Sequence, residues 1–238
     1  MQLARGGMAD FTSVRVADGS DMRVYIARPS KPNPPAILIF QEAFGVNAHI
    51  RDVTERFAKH GYLAAAPELF HRTEPGFEGR YEDFDSVRKP LAALTTGGIE
   101  ADVRAAYELV HAARSVGCAG FCMGGRVSYI ANSILPLSGA VSFYGGAITP
   151  ALLDRAAKQH APILLFWGGL DKHIGEDTRG AIREALTRAR KPFIETRFSF
   201  ADHGFFCDQR ASYNADAARD AWALMTGFLD AHSAISSS

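Results

Sequence analysis

Apolar and polar positions alternate with a period of two at the start of the chain. FTSVRV (11–16) and MRVYIARP (22–29) are short runs of this kind separated by the turn-rich ADGSD, a pattern that predicts a β-hairpin. The rhythm then changes. AILIFQ (36–41) is a continuous apolar run, as expected of a strand covered on both faces, and HIRDVTERFAKHG (49–61) follows with helical spacing and a closing glycine.

The strand-then-helix unit recurs along the rest of the chain. Strands are predicted at 62–69, 116–121, 139–145, 162–168 and 192–200, with helices at 100–115, 123–134, 176–190 and 212–232 and a short one near 150–158. Such alternation predicts an α/β fold with one mainly parallel, doubly wound sheet and the antiparallel hairpin at its edge. No repeat, linker or low-complexity segment divides residues 1–238, so a single domain is expected, with residues 1–10 and 234–238 as loose termini and Met8 as an alternative start. One irregular stretch, roughly 67–98, is longer than ordinary connections in such folds and is a candidate cover for a site.

Composition narrows the partner. Lys+Arg and Asp+Glu are balanced at 26 each, which removes the broad positive field of a nucleic-acid or membrane-surface binder and favours a small-molecule partner. Three cysteines, Cys118, Cys122 and Cys207, form no CxxC pair and have no flanking histidine pattern, so reduced thiols in a cytoplasmic protein are expected rather than a zinc site or disulfides. No run approaches signal-peptide or transmembrane character, and no metal or organic cofactor is implied. A monomer or small homo-oligomer is expected.

Ligands of open α/β sheets bind beyond the carboxyl ends of the strands, and four predicted strand ends carry reactive side chains: Glu42, Cys122, Asp171 and His203. Gly120-Phe121-Cys122-Met123-Gly124 is a G-x-C-x-G form of the nucleophile elbow, a tight strand-to-helix turn that projects its central side chain above the sheet. A cysteine there meets the positive end of a helix dipole, which favours the thiolate. His203, in the ADHGFF turn, is the candidate base and Asp171, in GGLDKH, the candidate acid orienting it; His173 is the weaker alternative base. The chain order nucleophile, acid, histidine is that of the hydrolases built around such an elbow. The same template assigns the oxyanion donors to the N–H groups of Met123 and Ala43. Glu42, a carboxylate at an apolar strand end, is a candidate for governing the thiol proton.

With these residues in place, the chain resembles the dienelactone hydrolase (carboxymethylenebutenolidase) family over nearly its whole length. The resemblance rests on QEAFGVN (41–47), HGYLAAAPELF (60–70), GFCMGG (120–125), FWGGLD (166–171) and HGFF (203–206). It implies an α/β-hydrolase fold without a large cap domain and a hydrolase that opens an ester or lactone through a covalent acyl-enzyme. Cys122 is then the nucleophile, His203 the base, Asp171 its orienting acid and Glu42 the family's glutamate that holds the thiol at rest. Family arginines that grip a substrate carboxylate are matched loosely: Cys207 stands where one is expected, Arg210 is the nearest, and Arg80 and Arg88 compete for another. Phe44, Tyr144, Trp167 and Phe205 flank the chemistry as candidate substrate contacts. The alternatives are a general carboxylesterase or thioesterase of the same fold and, in a different class, a non-catalytic thiol redox sensor or binding protein.

Overall fold

The computed structural model describes residues 9–235. Contacts within the chain divide it into two compact units, Met1–Val116 and Gly117–Ser238, where the sequence pattern predicts a single domain; the boundary falls inside a strand rather than in a linker.

The first unit opens with strands β1 (Ala9–Arg15) and β2 (Asp21–Ala27), the predicted hairpin, in antiparallel register from Ala9↔Ala27 to Arg15↔Asp21. Its turn is fixed by Asp18, whose Oδ1 accepts from Ser20 N at 3.0 Å, and by Gly19 at φ 87°. Strand β3 (Ala36–Phe40) leads to helix α1 (Ala48–His60) and β4 (Leu63–Pro67), giving the lateral order β1-β2-β4-β3 with β3 and β4 parallel. Helix α1 starts where the Asn47 side chain accepts from Ile50 N and stops at Gly61 in the left-handed region; Ile50, Val53, Thr54 and Phe57 form its buried face at helical spacing.

The long stretch after β4 contains a short helix α2 (Arg88–Ala93), and α3 (Thr96–Val110) begins four residues earlier than its apolar pattern predicts. The Thr95 side chain accepts from Gly98 N at 3.0 Å, so the cap, not the first apolar residue, sets the start.

Strand β5 (Val116–Phe121), whose first residue closes the first unit, runs on into the second. There β6 (Ala140–Phe143), β7 (Ile163–Gly168) and β8 (Phe193–Phe198) follow in the order β5-β6-β7-β8, all parallel. Helices α4 (Met123–Ile134), α5 (Glu176–Arg188) and α6 (Ala215–Ile235) and a 3-10 turn at Leu153–Lys158 connect and flank them. The strands are almost wholly buried up to β7, the mark of a parallel sheet covered on both faces. Strand β6 stops at Phe143 because Tyr144 takes φ 37°, and α6 begins at Ala215 because Asn214 caps it, its Oδ1 accepting from Ala217 N at 3.0 Å. Of the tails expected to be loose, 1–10 and 234–238, Ala9 and Asp10 instead pair with β2 and Ala234 lies in α6, while 1–8 and 236–238 lie outside the described residues.

Candidate active site

In the second unit the parallel strands deliver three side chains from their carboxyl ends. Cys122 follows β5 directly, Asp171 follows β7 by three residues and His203 follows β8 by five. The turn at Cys122 is as tight as the elbow pattern requires. Its backbone sits at φ 55°, ψ −115°, a conformation unfavourable for a residue bearing a Cβ, and it is held there by Cys122 N donating to Phe143 O at 3.0 Å and Gly125 N donating to Cys122 O at 2.9 Å. Gly120 makes the turn possible: a Cβ on it would overlap the Gly124 carbonyl and come within 2.7 Å of Ser128 Oγ.

The imidazole of His203 lies between the other two groups. Its Nε2 is 3.2 Å from Cys122 Sγ and its Nδ1 is 2.8 Å from Asp171 Oδ2. Asp171 is buried, and its other oxygen, Oδ1, accepts from the backbone N–H groups of His173 at 2.8 Å and Ile174 at 3.2 Å, which fixes the carboxylate plane. His173, the alternative base, contributes its backbone N–H to Asp171 and its ring edge to His203, with centroids 5.5 Å apart. The glycines of FWGGLD let the histidine loop approach: a Cβ on Gly168 would lie 2.8 Å from the carbonyl oxygens of Ala201 and Asp202.

The electrostatics follow from this packing. Burial alone works against the His203 imidazolium, but the hydrogen bonds to Asp171 and Cys122 and their charges outweigh it and push the pKa up to about 10. Burial likewise works to raise Asp171, yet the hydrogen bond and charge of His203, with the two backbone N–H groups, hold that carboxyl below its ordinary value. The groups are strongly coupled, so protons leave the pair rather than either member alone.

The remaining residues expected at the site fall into distinct environments. Met123 is the first residue of α4, where a helix leaves its N–H groups without intrahelical partners. Tyr144 is fully buried with its ring centroid 5.0 Å from that of His203. Trp167 and Phe205 are also fully buried, the Phe205 ring meeting Tyr144 edge-on and Phe143 and Phe198 at a tilt. Arg210 lies beside the histidine turn: its guanidinium carbon is 2.6 Å from where a Cβ on Gly204 would stand.

In the first unit, Glu42 and Ala43 follow β3 and are buried, and Phe44 packs its ring against Tyr81 and Phe84 at centroid distances of 4.5 and 5.6 Å. The long stretch is tied to this turn by Gly79 N donating to Phe44 O at 3.0 Å and Asn47 Nδ2 donating to the Tyr81 hydroxyl at 2.9 Å. Arg80 and Arg88 point outward. Their side chains are 83% and 78% exposed and pair with Glu82 and Asp85 of the same loop at 3.7 and 3.0 Å.

One residue near the thiol was not singled out by sequence pattern. Arg126 stands four residues after Cys122 on α4, half-buried, with Nε buried and without a hydrogen-bond partner. Burial holds its guanidinium below the ordinary value, and negative charge at Cys122 offsets part of that.

The family model described as "Dienelactone hydrolase family" matches residues 22–233. The chain belongs to the dienelactone hydrolase family. A relative from Synechocystis sp. named "Putative carboxymethylenebutenolidase" is 38% identical over 213 residues, covering 83% of this chain and 87% of that protein. One of the same name from Escherichia coli K12 is 35% identical over 236 residues, covering 92% and 85%. Among solved structures, the "Putative Dienelactone Hydrolase" of Klebsiella pneumoniae superposes with a TM-score of 0.86 at 31% identity, over 95% of this chain and 99% of that one. Membership fixes the fold class as α/β-hydrolase and the enzyme as a hydrolase of ester or lactone type. Among the described residues no helix is long and apolar enough to cross a membrane.

Proposed function

We propose that the whole chain works as one hydrolase domain that cleaves an ester or lactone through a covalent acyl-enzyme on Cys122. The observation that carries this reading is the pair of distances about His203, 3.2 Å to Cys122 Sγ and 2.8 Å to Asp171 Oδ2, at a cysteine held in a left-handed turn. The Cys122 thiolate attacks the carbonyl carbon, forming an S–C bond and pushing the carbonyl π electrons onto oxygen. That oxyanion is received by the backbone N–H groups of Met123 and Ala43, the donors which the family's motif assigns. As the tetrahedral intermediate collapses, the C–O bond to the leaving alcohol breaks and the His203 imidazolium supplies the proton. His203, now neutral and oriented by Asp171, takes a proton from water, whose oxygen attacks the thioester; collapse of the second intermediate releases the acid and restores thiolate and imidazolium.

Glu42 takes the role the family motif gives it, control of the thiol proton before substrate binds. Tyr144, against the His203 ring, and Phe44, within the aromatic cluster of the long loop, are carried forward as substrate contacts on the resemblance to the family, although both side chains are buried against other aromatic rings. No disulfide joins the three cysteines, which supports a reducing, cytoplasmic setting. A second reading, a carboxylesterase acting on neutral esters, is favoured by Arg80 and Arg88, which are exposed and already paired within their own loop.

The test is acyl-enzyme trapping with an activated aryl ester. Quenched samples should show a mass increase on Cys122 that decays with time, and Cys122→Ala should lose both adduct and turnover. Unchanged turnover in Cys122→Ala would sink the reading. Comparing a neutral ester with a carboxylate-bearing lactone then separates the two substrate classes.

A further inference from the structure

The last strand of a sheet carries a row of backbone N–H and C=O groups that no neighbouring strand pairs, and such an edge is usually blunted by a proline or a bulge within it. Strand β8 is the terminal strand of the second unit and pairs with β7, in parallel register from Ile163↔Phe193 to Gly168↔Phe198. Pro192 O accepts from Ile163 N at 3.2 Å and Phe198 O accepts from Gly169 N at 2.7 Å, so the even-numbered positions turn their backbone groups toward β7. Phe193, Glu195 and Arg197 therefore aim theirs outward. The edge is not blunted: Pro192 stands before the strand, and the register with β7 runs without a bulge.

Exposed apolar side chains gather at this edge. Ile194 on β8, Phe200 just beyond it and Leu170 just beyond β7 are 52%, 52% and 56% exposed, and Leu170 N donates to Ala201 O at 2.9 Å, which holds the two strand ends together. Charges occupy the other face of the strand from Ile194. There Glu195 meets Arg183 of α5 with one carboxylate oxygen at 3.6 Å, and Arg197 is exposed and forms no ion pair among the described residues.

We propose that β8 is a self-association edge: a second copy of this chain adds its own β8 antiparallel, about a two-fold axis at Thr196. The residues of the strand select this register. With Thr196 opposite its own counterpart, Glu195 of each copy stands opposite Arg197 of the other. These are positions whose backbone points outward, so each such pair also exchanges both main-chain hydrogen bonds. Ile194 then lies opposite Phe198 of the other copy, on the apolar face. Moving the axis by one residue sets Glu195 against Glu195 or Arg197 against Arg197, a like-charge pair at the centre. A two-fold contact closes on itself and makes a pair of chains rather than a fibre. Net charge does not oppose it, since 26 basic and 26 acidic residues balance. The proposal is independent of the chemistry at Cys122.

The test is sedimentation velocity on the full chain from about 1 µM to about 200 µM. Wild type should pass from one chain to two as concentration rises. Arg197→Glu and Glu195→Arg should each raise the dissociation constant about tenfold or more, because symmetry turns two attractive pairs repulsive, and the variant carrying both exchanges should recover most of the wild-type value. Circular dichroism identifies any variant that does not fold, and hydrogen exchange on the wild type then decides alone: the Glu195 and Arg197 amides should be protected at high concentration and exchange fast on dilution. A single-chain particle across the whole range overturns the proposal. So does a two-chain particle that ignores both single exchanges, which would place the contact elsewhere, or one that the double exchange fails to restore, which would mean a different register. Growth beyond two chains overturns the closed two-fold arrangement, and exchange at Glu195 and Arg197 that does not change with concentration overturns the pairing itself.

Discussion

Asp171 Oδ2 lies 2.8 Å from His203 Nδ1, and the other Asp171 oxygen is occupied by two backbone N–H groups. The carboxylate therefore cannot rotate away without abandoning three hydrogen bonds. It fixes both the tautomer of His203 and the direction in which Nε2 points. Asp171→Asn keeps the shape but puts an amide where the charge was. We expect kcat for ester hydrolysis to fall by about 10²–10⁴ with the fold retained, by analogy with how such acids act elsewhere. Steady-state kinetics beside a thermal melt check this; full activity in a folded Asp171→Asn protein would remove Asp171 from the mechanism.

The same contacts make stability depend on pH. The His203 pKa is raised from 6.5 in the unfolded chain to about 10 in the folded one, so the folded state retains a proton that the unfolded state has lost between those values. Its stabilisation is fully present below pH 6.5, declines from there and is gone as pH rises through about 10. Asp171 acts on the other side: its depressed value contributes above 3.8 and is lost as pH falls through that lower folded value. Urea denaturation of wild type and His203→Gln should therefore differ by about 1–3 kcal/mol at pH 6 and converge above pH 10. A gap independent of pH would mean that the imidazolium is not what the fold stabilises.

The strand ends were the legible part of this site. Cys122 and Asp171 follow the continuous apolar runs of β5 and β7, and their positions survive into three dimensions because buried parallel strands leave little freedom in where they end; His203 follows the partly exposed β8, where its place after a predicted strand was the signal. Arg126 was not legible: an arginine on a helix reads as a solvated charge until burial and the absence of a partner are visible. Arg80 and Arg88 show the converse. Each occupied a plausible place in the long loop, but acids two or three residues away, Glu82 and Asp85, take up their charges. The start of α3 was misplaced for a local reason, since Thr95 and two small glycines leave no apolar signal in the turn they cap.

The two cysteines of CAGFCMGG should differ in reactivity as they do in environment. Cys118 is fully buried within β5, and burial pushes its thiol up to about 12; Cys207 is also fully buried. Cys122 alone of the three is partly exposed. Native protein treated with iodoacetamide should take up one label, mapped to Cys122 by peptide mass, and Cys122→Ser should take up none until it is unfolded. Rapid labelling of Cys118 or Cys207 in the native state would show that the core opens on the timescale of the reaction.

A buried charge cluster holds the start of the long stretch in place. Asp102 on α3 is fully buried; it accepts from Arg72 Nη1 at 2.9 Å and Nη2 at 2.7 Å, and His71 Nε2 lies 3.1 Å away. Arg72 also donates Nε to Asp18 in the β1–β2 turn at 2.6 Å, so one guanidinium ties hairpin, loop and helix together. The Asp102 hydrogen bonds are the main reason that the Arg72 pKa lies above its ordinary value. Removing the charge from Asp102 leaves a partly buried cation facing an amide, which typically costs about 3–5 kcal/mol. Asp18 is in water on its open side, and its pair with Arg72 is screened. Urea denaturation at pH 7 should therefore show a large loss for Asp102→Asn and little change for Asp18→Asn. If the two variants lose the same amount, the cluster does not anchor this part of the chain, and the order of the loop must come from the Phe44, Tyr81 and Phe84 packing instead.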